Sequence, residues 1–377
     1  MRLLAIETSC DETSAAVVHE GRRVLSNVVA SQIRLHEKYG GVVPELASRQ
    51  HITAIVPVLQ EALDTAAVTR SDIDAIAVTE GPGLAGSLLV GVNVAKTLAF
   101  AWRKPLVPVN HLEGHIYANW LARQDDEMTA PPTFPAVCLI VSGGHTDLIL
   151  IHKHGVYEIL GRTLDDAAGE AFDKGARVLG LGYPGGPAIQ RAAEGHRPIE
   201  QMPRAWLGDS YDFSFSGLKT ALLRAAEQYR KPDPLPGRGK RKAKASSGPF
   251  QEHRPPEYSP NMPVGELAAG YQEAIVDVLV DKTARAAQQE GARCVLLSGG
   301  VAANALLRRR MESRVTALGI PLHIPPFEFC TDNAAMIAGA AYQVLRRGAL
   351  AGWELDVRAQ LPWSELPGVR VIERTRG

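Results

Sequence analysis

Cysteine is scarce in this sequence, and charge of neither sign is in excess. The four cysteines are widely spaced and form no C-x-x-C pair; they are Cys10, Cys138, Cys294 and Cys330. This spacing suggests neither a disulfide framework nor a zinc ribbon, so we expect a reduced, cytoplasmic protein. Lys+Arg and Asp+Glu both number 41. That balance argues against a highly basic nucleic-acid coat protein but leaves room for one local basic face.

Long hydrophobic runs are also missing. The start, MRLLAIETSCDE, is apolar only over residues 3–6, which is too short for a signal peptide. No run reaches the ~18 apolar residues of a membrane-spanning helix. The most apolar stretch, residues 86–102, is interrupted by Asn93 and Lys96. No membrane segment is therefore predicted.

The chain has 377 residues, more than the ~250–300 that one core usually supports. An order of strand, turn, two strands, helix, strand, glycine loop and helix occurs twice along the chain, which predicts two similar α/β lobes facing each other. We expect residues 1–112 to form the first lobe, with a helix and tail at 333–377 returning to it, and residues 113–332 to form the second. One large open sheet is the alternative.

Residues 230–264 differ from the rest of the chain. They contain several prolines, few large apolar side chains and the basic run KRKAK. Such a composition predicts a surface insertion outside the packed core. A solvated insertion is the favoured interpretation, because runs of charge are usually just solvated, and a basic tether for nucleic acid is the alternative.

Two turns at equivalent positions of the repeat could bind an anion. Residues 8–14 and 142–146 are rich in small and hydroxyl residues between two strands, where backbone N–H groups can converge on a phosphate. A single turn of this kind is usually an ordinary hairpin turn. Asp11 and Glu12 lie in the first turn, and an acid beside a phosphate site acts through a metal or as a base.

Two further segments suit nucleotide contact. The loop 298–304, SGGVAAN, follows a strand and opens a helix, although it is neither a Walker A loop nor a G-x-G-x-x-G fingerprint. Asn304 could instead simply cap that helix. Asp173 could accept hydrogen bonds from ribose hydroxyls; alternatively, Asp173 and Lys174 form an exposed pair of little consequence.

The sequence HLEGH at residues 111–115 suggests a metal site. Histidines at i and i+4 share one helix face, so His111 and His115 could chelate one ion. Asp332, where a later helix begins, is the third candidate, with an N-cap role as its alternative. Two histidines and one carboxylate leave open positions suited to Fe(II) or Zn(II). Glu113 points to the opposite face, which argues against protease chemistry of the H-E-x-x-H type.

Together these segments resemble the TsaD family of bacterial tRNA-modifying enzymes. The resemblance runs from residue 1 to about residue 367. The segments that carry it are MRLLAIETSCDETSAAVV, YGGVVPELASRQH, GPGLAGSLLVG, HLEGHIYA, VSGGHT, DDAAGEAFDKGARVLGLGYPGGP, DFSFSGLKT, SGGVAAN and FCTDNAAMIA. The family has the duplicated actin-like/Hsp70/sugar-kinase (ribonuclease H-like) fold, and the resemblance implies this fold for the present chain.

The resemblance also implies an activity. Members transfer a threonylcarbamoyl group from threonylcarbamoyl-AMP to N6 of adenosine 37 in tRNAs that read codons beginning with A, and AMP is released. They work with a TsaB-like paralogue and a TsaE-like ATPase. The family's metal ligands fall on His111, His115 and Asp332. Its substrate contacts fall on Ile140, Val141, Ser142, Gly143, Gly144, Asp173, Gly186 and Asn304. We expect one divalent ion, Fe(II) or Zn(II), and Asp11 as the general base.

The sequence departs from the family pattern at two positions. Some members carry an aspartate where this chain has Gln190, which puts one ribose contact in doubt. Archaeal relatives add a tyrosine ligand where this chain has Ile140, so three protein ligands are expected. The insertion at 230–264 is also longer than typical. A small-molecule kinase of the same fold and a non-catalytic scaffold paralogue are the alternative functions.

Overall fold

The computed structural model describes residues 1–123, 130–199, 201–231, 250, 255–366 and 368–372. Most of the predicted insertion, at 232–249 and 251–254, lies outside the described residues. The described chain contains two separate β-sheets. The predicted two-lobe α/β arrangement is therefore confirmed, and the alternative of one large open sheet is wrong for the part of the chain that is described.

The first sheet has five strands, β1 (Arg2–Glu7), β2 (Glu12–His19), β3 (Arg23–Ser31), β4 (Ala75–Gly81) and β5 (Leu106–Asn110). Their spatial order is β3-β2-β1-β4-β5. Strand β1 is antiparallel to β2 and parallel to β4. Because β1 pairs on both sides, its segment is buried almost throughout, as its apolar sequence predicts.

The second sheet has six strands, β6 (Ala136–Val141), β7 (Thr146–Lys153), β8 (Val156–Arg162), β9 (Cys294–Ser298), β10 (Leu322–His323) and β11 (Arg370–Ile372). Their order is β10-β9-β6-β7-β8-β11. Strand β6 is antiparallel to β7 and parallel to β9. Strands β6, β7, β8 and β9 thus repeat the pairing of β1, β2, β3 and β4, which is the duplication that the sequence predicts.

Ten α-helices lie in the described residues. They are α1 (Ile33–Glu37), α2 (Pro44–Thr65), α3 (Ala85–Trp102), α4 (His111–Tyr117), α5 (Ala168–Leu179), α6 (Gly185–Ala193), α7 (Ser216–Glu227), α8 (Val264–Gln289), α9 (Ala305–Thr316) and α10 (Ala334–Arg346). Helices α2 and α3 cover one face of the first sheet, and α10 covers the other. Helices α5 to α8 pack on one face of the second sheet. The short helix α4 packs against the opposite face of that sheet and against α10, so it lies between the two lobes.

The C-terminal segment divides between the lobes. Helix α10 packs on the first sheet, as predicted. Leu361 and Trp363, however, are buried against the second sheet, and β11 pairs with β8. The prediction that the whole tail returns to the first lobe is therefore wrong for this last part. Its apolar side chains cover a face of the second sheet that α4 alone leaves uncovered.

Helix α3 has the length and apolar composition of a segment that could cross a membrane. In the described part of the chain it is the one helix that meets these criteria, and 33% of its apolar window is buried inside the structure. It packs there against α2 and β4. A core helix of a globular protein passes the same test, so α3 by itself is weak support for a membrane span.

Candidate active site in the cleft between the lobes

Helix α4 delivers the two histidines to the space between the lobes. Its start is fixed by Asn110, the last residue of β5, whose side-chain oxygen accepts from the backbone N–H of Leu112 at 2.8 Å and of Glu113 at 3.1 Å. This N-cap satisfies two donors that a helix start leaves unpaired. All seven residues of α4 are buried. The helical geometry predicted for HLEGH is therefore present.

The predicted metal ligands lie together at this point. Nε2 of His115 is 3.3 Å from Oδ1 of Asp332, and Nε2 of His111 is 3.5 Å from the same oxygen. One ligand atom from each of the three residues lies within 4.8 Å of the others. The N-cap interpretation of Asp332 is wrong, because Asn333 caps α10 by accepting from the backbone N–H of Met336. The Asp332 carboxylate is consequently available to face the histidines.

The surroundings of the histidines fit a metal ion. His115 is fully buried, yet its Nδ1 has no hydrogen-bond partner, and its Nε2 lies near Oδ1 of Asp332 without the geometry of a hydrogen bond. Buried polar atoms without partners are rare in folded proteins, and an ion would satisfy one of these two nitrogens. Nδ1 of His111 contacts Oε2 of Glu7 at 3.1 Å, which leaves its Nε2 facing Asp332. A carboxylate that holds the second nitrogen of a ligand histidine is a recurrent feature of metal sites.

The Glu7 carboxylate is the part of this arrangement that sequence reasoning missed. It is fully buried at the end of β1, where it accepts from the Thr79 hydroxyl at 2.6 Å and from the backbone N–H of Ser9. The one available signal was an acid closing an otherwise apolar strand. Its partner His111 lies far along the chain, so spacing could not reveal the contact.

Electrostatics make this pocket favourable for positive charge. Burial lowers the pKa of His111, but Asp332 and Glu7 raise it more, to about 9. Burial raises the pKa of Asp332, yet His111 and His115 bring it below its ordinary value. Burial lowers the pKa of His115, so its nitrogens are neutral and able to ligate. The carboxylates of Glu7 and Asp332, on either side of His111, thus favour a positive charge at this position, which the imidazolium itself or a bound cation can supply.

Glu113 lies on the other side of α4, as the sequence predicts. Its Oε1 accepts from the Tyr157 hydroxyl at 2.8 Å and from Nη2 of Arg347 at 2.9 Å. The carboxylate is thus engaged in a buried ion pair away from His111 and His115. It is not placed to activate water at a metal, which agrees with the argument against protease chemistry.

The first predicted turn, between β1 and β2, is packed closely against the first lobe. The Thr8 hydroxyl donates to the backbone oxygen of Ser87 at 2.9 Å. A Cβ on Gly91 would lie 2.5 Å from that hydroxyl, and one on Gly83 would lie 2.6 Å from the backbone oxygen of Ser9. These approaches require glycine. Asp11, in the middle of the turn, is buried with a relative exposure of 7%.

The second predicted turn, at 142–146, meets the N-terminus of α5. The backbone N–H of Gly169 donates to the backbone oxygen of Ser142 at 3.2 Å, and a Cβ on Gly169 would lie 2.4 Å from that oxygen. Gly143 and Gly144 face open space. Ile140 and Val141 end β6 with fully buried side chains. Since the first N–H groups of α5 are bonded to this turn, the exposed backbone of Gly143 and Gly144 is the part suited to binding an anion.

The remaining predicted substrate residues are Asp173 in α5, which contacts the start of α6, Gly186 in the first turn of α6, and Asn304 just before α9. Oδ1 of Asp173 accepts from the backbone N–H of Gly185 at 2.6 Å, and a Cβ at the adjacent Gly186 would meet no atom within 4 Å. Asp173 does not pair with Lys174, which contacts Asp166 and Glu170 instead. The exposed-pair interpretation is therefore wrong.

The capping alternative for Asn304 is confirmed. Its Oδ1 accepts from the backbone N–H of Leu307 at 3.0 Å, and its Nδ2 donates to Oε1 of Gln272 at 2.8 Å. Gln190, one of the two positions at which the sequence departs from the family pattern, lies nearby. Its Oε1 accepts from the backbone N–H of Ala305 at 2.8 Å. Gln190 therefore supports the loop that carries Asn304.

Charged residues of one lobe shift the pKa values of residues in the other lobe across the cleft. Burial raises the pKa of the Tyr183 hydroxyl, and Asp11 of the first lobe and Asp173 of the second raise it further. His145, which the sequence analysis did not select, lies in the second turn. Burial, together with the smaller effects of His111 and His115, lowers its pKa to about 4. The structure thus brings the three candidate metal ligands near both turns, while Asn304 is hydrogen-bonded within its own lobe.

Comparison with known proteins shows the family of this chain. Residues 23–339 match the sequence profile described as TsaD, tRNA N6-adenosine threonylcarbamoyltransferase. The chain belongs to the TsaD family. A relative from Thermomicrobium roseum with this enzyme's name is 64% identical over 96% of the present chain and 97% of its own. One from Bacillus subtilis, named the same, is 49% identical over 94% of each chain.

Solved structures support the fold of this TsaD-family chain. HypF from T. kodakarensis superposes with a TM-score of 0.56 at 13% identity, over 94% of the present chain and 49% of HypF. At that identity the likeness concerns the fold alone. Together with the family match it confirms the predicted duplicated actin-like fold. As its name states, the TsaD family comprises transferases that modify tRNA.

Proposed function

We propose that this chain transfers the threonylcarbamoyl group of threonylcarbamoyl-AMP to N6 of adenosine 37 in tRNAs that read codons beginning with A. The observation that carries the proposal is the cluster of His111, His115 and Asp332 at the cleft, flanked by one turn from each lobe. A phosphate-bearing donor and a tRNA base could meet at such a place. Nearly full-length relatives that carry the enzyme's name support the same activity.

The reaction exchanges one bond for another. N6 of adenine attacks the carbonyl carbon of the threonylcarbamoyl group, a C–N bond forms, and the C–O bond to AMP breaks as AMP leaves. The N6 proton must be removed, and Asp11 is the proposed acceptor because its carboxylate lies in the first turn and acts electrostatically on Tyr183 across the cleft. A base of this kind typically contributes about 10²–10⁴-fold in rate.

The leaving phosphate needs stabilisation as negative charge develops on it. The backbone of residues 142–144, at the N-terminus of α5, is the proposed contact, together with Asp173 and Gly186 on the nucleotide side. Ile140 and Val141 would contribute backbone groups only, since their side chains are buried. Asn304 would act by shaping its loop, because its amide is already bonded within the protein.

His111, His115 and Asp332 would hold one divalent ion, Fe(II) or Zn(II), with open positions for substrate oxygens. Bound there, such an ion supplies Lewis acidity toward phosphate or carbonyl oxygen. Glu7 would keep Nε2 of His111 directed at the ion by holding its Nδ1.

Partners are proposed from the family resemblance: tRNA, a TsaB-like paralogue and a TsaE-like ATPase. A cytoplasmic location goes with these partners. The TsaB-like paralogue would dock on the apolar face of α2 and α3, where Ile52, Val56 and Phe100 are 64%, 67% and 71% exposed. The groove between these helices is lined without charged residues. A paralogue that carries a similar pair of helices would allow two apolar faces to pack together.

The docking proposal has a direct test. Val56→Glu should abolish co-elution of the purified chain with the TsaB-like protein, because a charge would be buried without a partner. Leu223→Glu, at an exposed apolar position on α7, is the matched control and should leave the complex intact. A complex that survives Val56→Glu would place the paralogue elsewhere.

A kinase of the same fold would turn over ATP with a small-molecule acceptor, and a scaffold would do no chemistry. Neither alternative finds support in the family match. The deciding experiment supplies the purified chain, both partners, threonylcarbamoyl-AMP and unmodified tRNA, then measures modified adenosine by mass spectrometry. Modified adenosine at position 37, lost in Asp11→Asn, is the expected result. Its absence with fully metallated protein would overturn the proposal.

A further inference from the structure

The segment YGGVVPELASRQH, residues 39–51, carries part of the family resemblance but has no role in the chemistry described so far. Its last residue, His51, is fully buried on α2, beneath the turn that bears Asp11. Nε2 of His51 lies 3.0 Å from the backbone oxygen of Cys10, and Nδ1 lies 2.7 Å from Oγ1 of Thr13. One imidazole thus contacts the chain on both sides of Asp11 and Glu12.

The partners of His51 fix which nitrogen carries the proton. A backbone oxygen can only accept, so Nε2 donates to Cys10. Nδ1 of the neutral ring then has a free lone pair and accepts from the hydroxyl of Thr13. A protonated ring would lose that acceptor. Burial lowers the pKa of His51, which keeps the ring neutral at ordinary pH.

The rest of the turn is tied down by main-chain bonds. The backbone oxygen of Ser9 accepts from the N–H of Leu84 at 2.8 Å, and that of Asp11 accepts from the N–H of Gln32 at 3.0 Å. Between them, the oxygen of Cys10 is bonded by His51. Three consecutive carbonyl groups are therefore anchored, and the middle anchor comes from the side chain of His51.

We infer that His51 is a positioning residue that holds the turn of Asp11 through Cys10 and Thr13. This inference rests on the proposed role of Asp11 as the base. A displaced base loses rate without loss of substrate binding, and a misplacement of about 1 Å can lower a rate about 100-fold. Removing one of the two contacts of His51 should therefore lower kcat and leave KM nearly unchanged.

The sharpest test removes the hydroxyl of Thr13 and leaves His51 in place. Thr13→Val, which has the same shape, should lower kcat about 10-fold to 100-fold, with KM for threonylcarbamoyl-AMP and tRNA within about threefold of wild type. Thr13→Ser keeps the hydroxyl and should restore most of the rate. Thr220→Val, at an exposed site on α7, is the control and should match wild type. His51→Gln should resemble Thr13→Val.

A second readout does not depend on activity. Nitrogen NMR of His51 should show the neutral ring with its proton on Nε2, and amide hydrogen exchange at residues 10–13 should be faster in Thr13→Val than in Thr13→Ser. If the wild-type protein does not transfer the threonylcarbamoyl group, the proposed function fails. The NMR and exchange measurements would still decide whether His51 holds the turn through Cys10 and Thr13. A folded Thr13→Val with wild-type kcat and exchange, or a His51 proton on Nδ1, would overturn the inference.

Discussion

Nε2 of His115 lies 3.3 Å from Oδ1 of Asp332, although the two residues come from separate segments at the boundary between the lobes. His115 belongs to α4, and Asp332 precedes α10, which covers the first sheet. Their proximity therefore depends on how α4 and α10 pack. A site built in this way is sensitive to the packing of the two helices as well as to the ligands themselves.

Removal of one ligand should remove the ion. His115→Ala takes away a buried nitrogen that has no other partner, so metal content by elemental analysis should fall to a small fraction of wild type with the fold retained. His152→Ala is the matched control, since this exposed histidine pairs only with Glu158. Full occupancy in His115→Ala would show that the ion is bound elsewhere.

The ion pair between Glu113 and Arg347 should contribute to the free energy of unfolding and leave metal binding unchanged. Glu113→Ala leaves the guanidinium of Arg347 without its buried partner, which typically costs about 3–5 kcal/mol. Metal content should stay at the wild-type level. Glu45→Ala, which breaks an exposed pair with Arg49, should change the unfolding free energy by less than about 1 kcal/mol. Loss of metal from folded Glu113→Ala would contradict this separation.

Asp173 should make stability depend on pH. Burial raises its pKa from 3.8 to about 6, so the folded state prefers the protonated form. That stabilisation is complete below the unfolded pKa and is lost as pH rises through about 6. Relative to Asp173→Asn, wild type should therefore lose about 1–3 kcal/mol of unfolding free energy between pH 4 and pH 7. Denaturant titrations at several pH values would measure this; parallel curves for the two proteins would contradict it.

The contact between α5 and the second turn should control nucleotide binding. In Gly169→Ala the new methyl group would lie 2.4 Å from the backbone oxygen of Ser142, so the turn must shift. We expect AMP affinity in calorimetry to fall at least about tenfold, which is ~1.4 kcal/mol. Gly217→Ala, in the first turn of α7, meets no atom within 4 Å and should bind AMP as wild type does. Equal affinities for both variants would place the nucleotide away from residues 142–144.

Several elements followed directly from local patterns. Pro44 in the first turn and the apolar spacing after it are typical of a helix, and α2 runs from Pro44 to Thr65. The i,i+4 histidines predicted a helical HLEGH with Glu113 turned away, and both features are present. The repeated order of strands and loops predicted two lobes. These predictions succeed because helix periodicity and turn chemistry act over a few residues.

Other features were out of reach of such patterns. Sequence alone left open whether Asp332 or Asn304 capped a helix, and the structure assigns the caps to Asn333 and Asn304. The sequence patterns also gave no reason to select Glu7, His51 or His145 as site residues. Each of these three matters through a contact or charge interaction with residues distant in the chain.

The sequence by itself determined the duplicated order of elements, the histidine pair on one helix face and the family to which the chain is similar. The tertiary structure decided which side chains meet. In the folded chain Glu7 contacts His111, Glu113 pairs with Arg347, and Trp363 packs against the second sheet. The physical reason is that periodicity records which face of an element is buried, while the identity of the neighbours on that face depends on how distant elements pack.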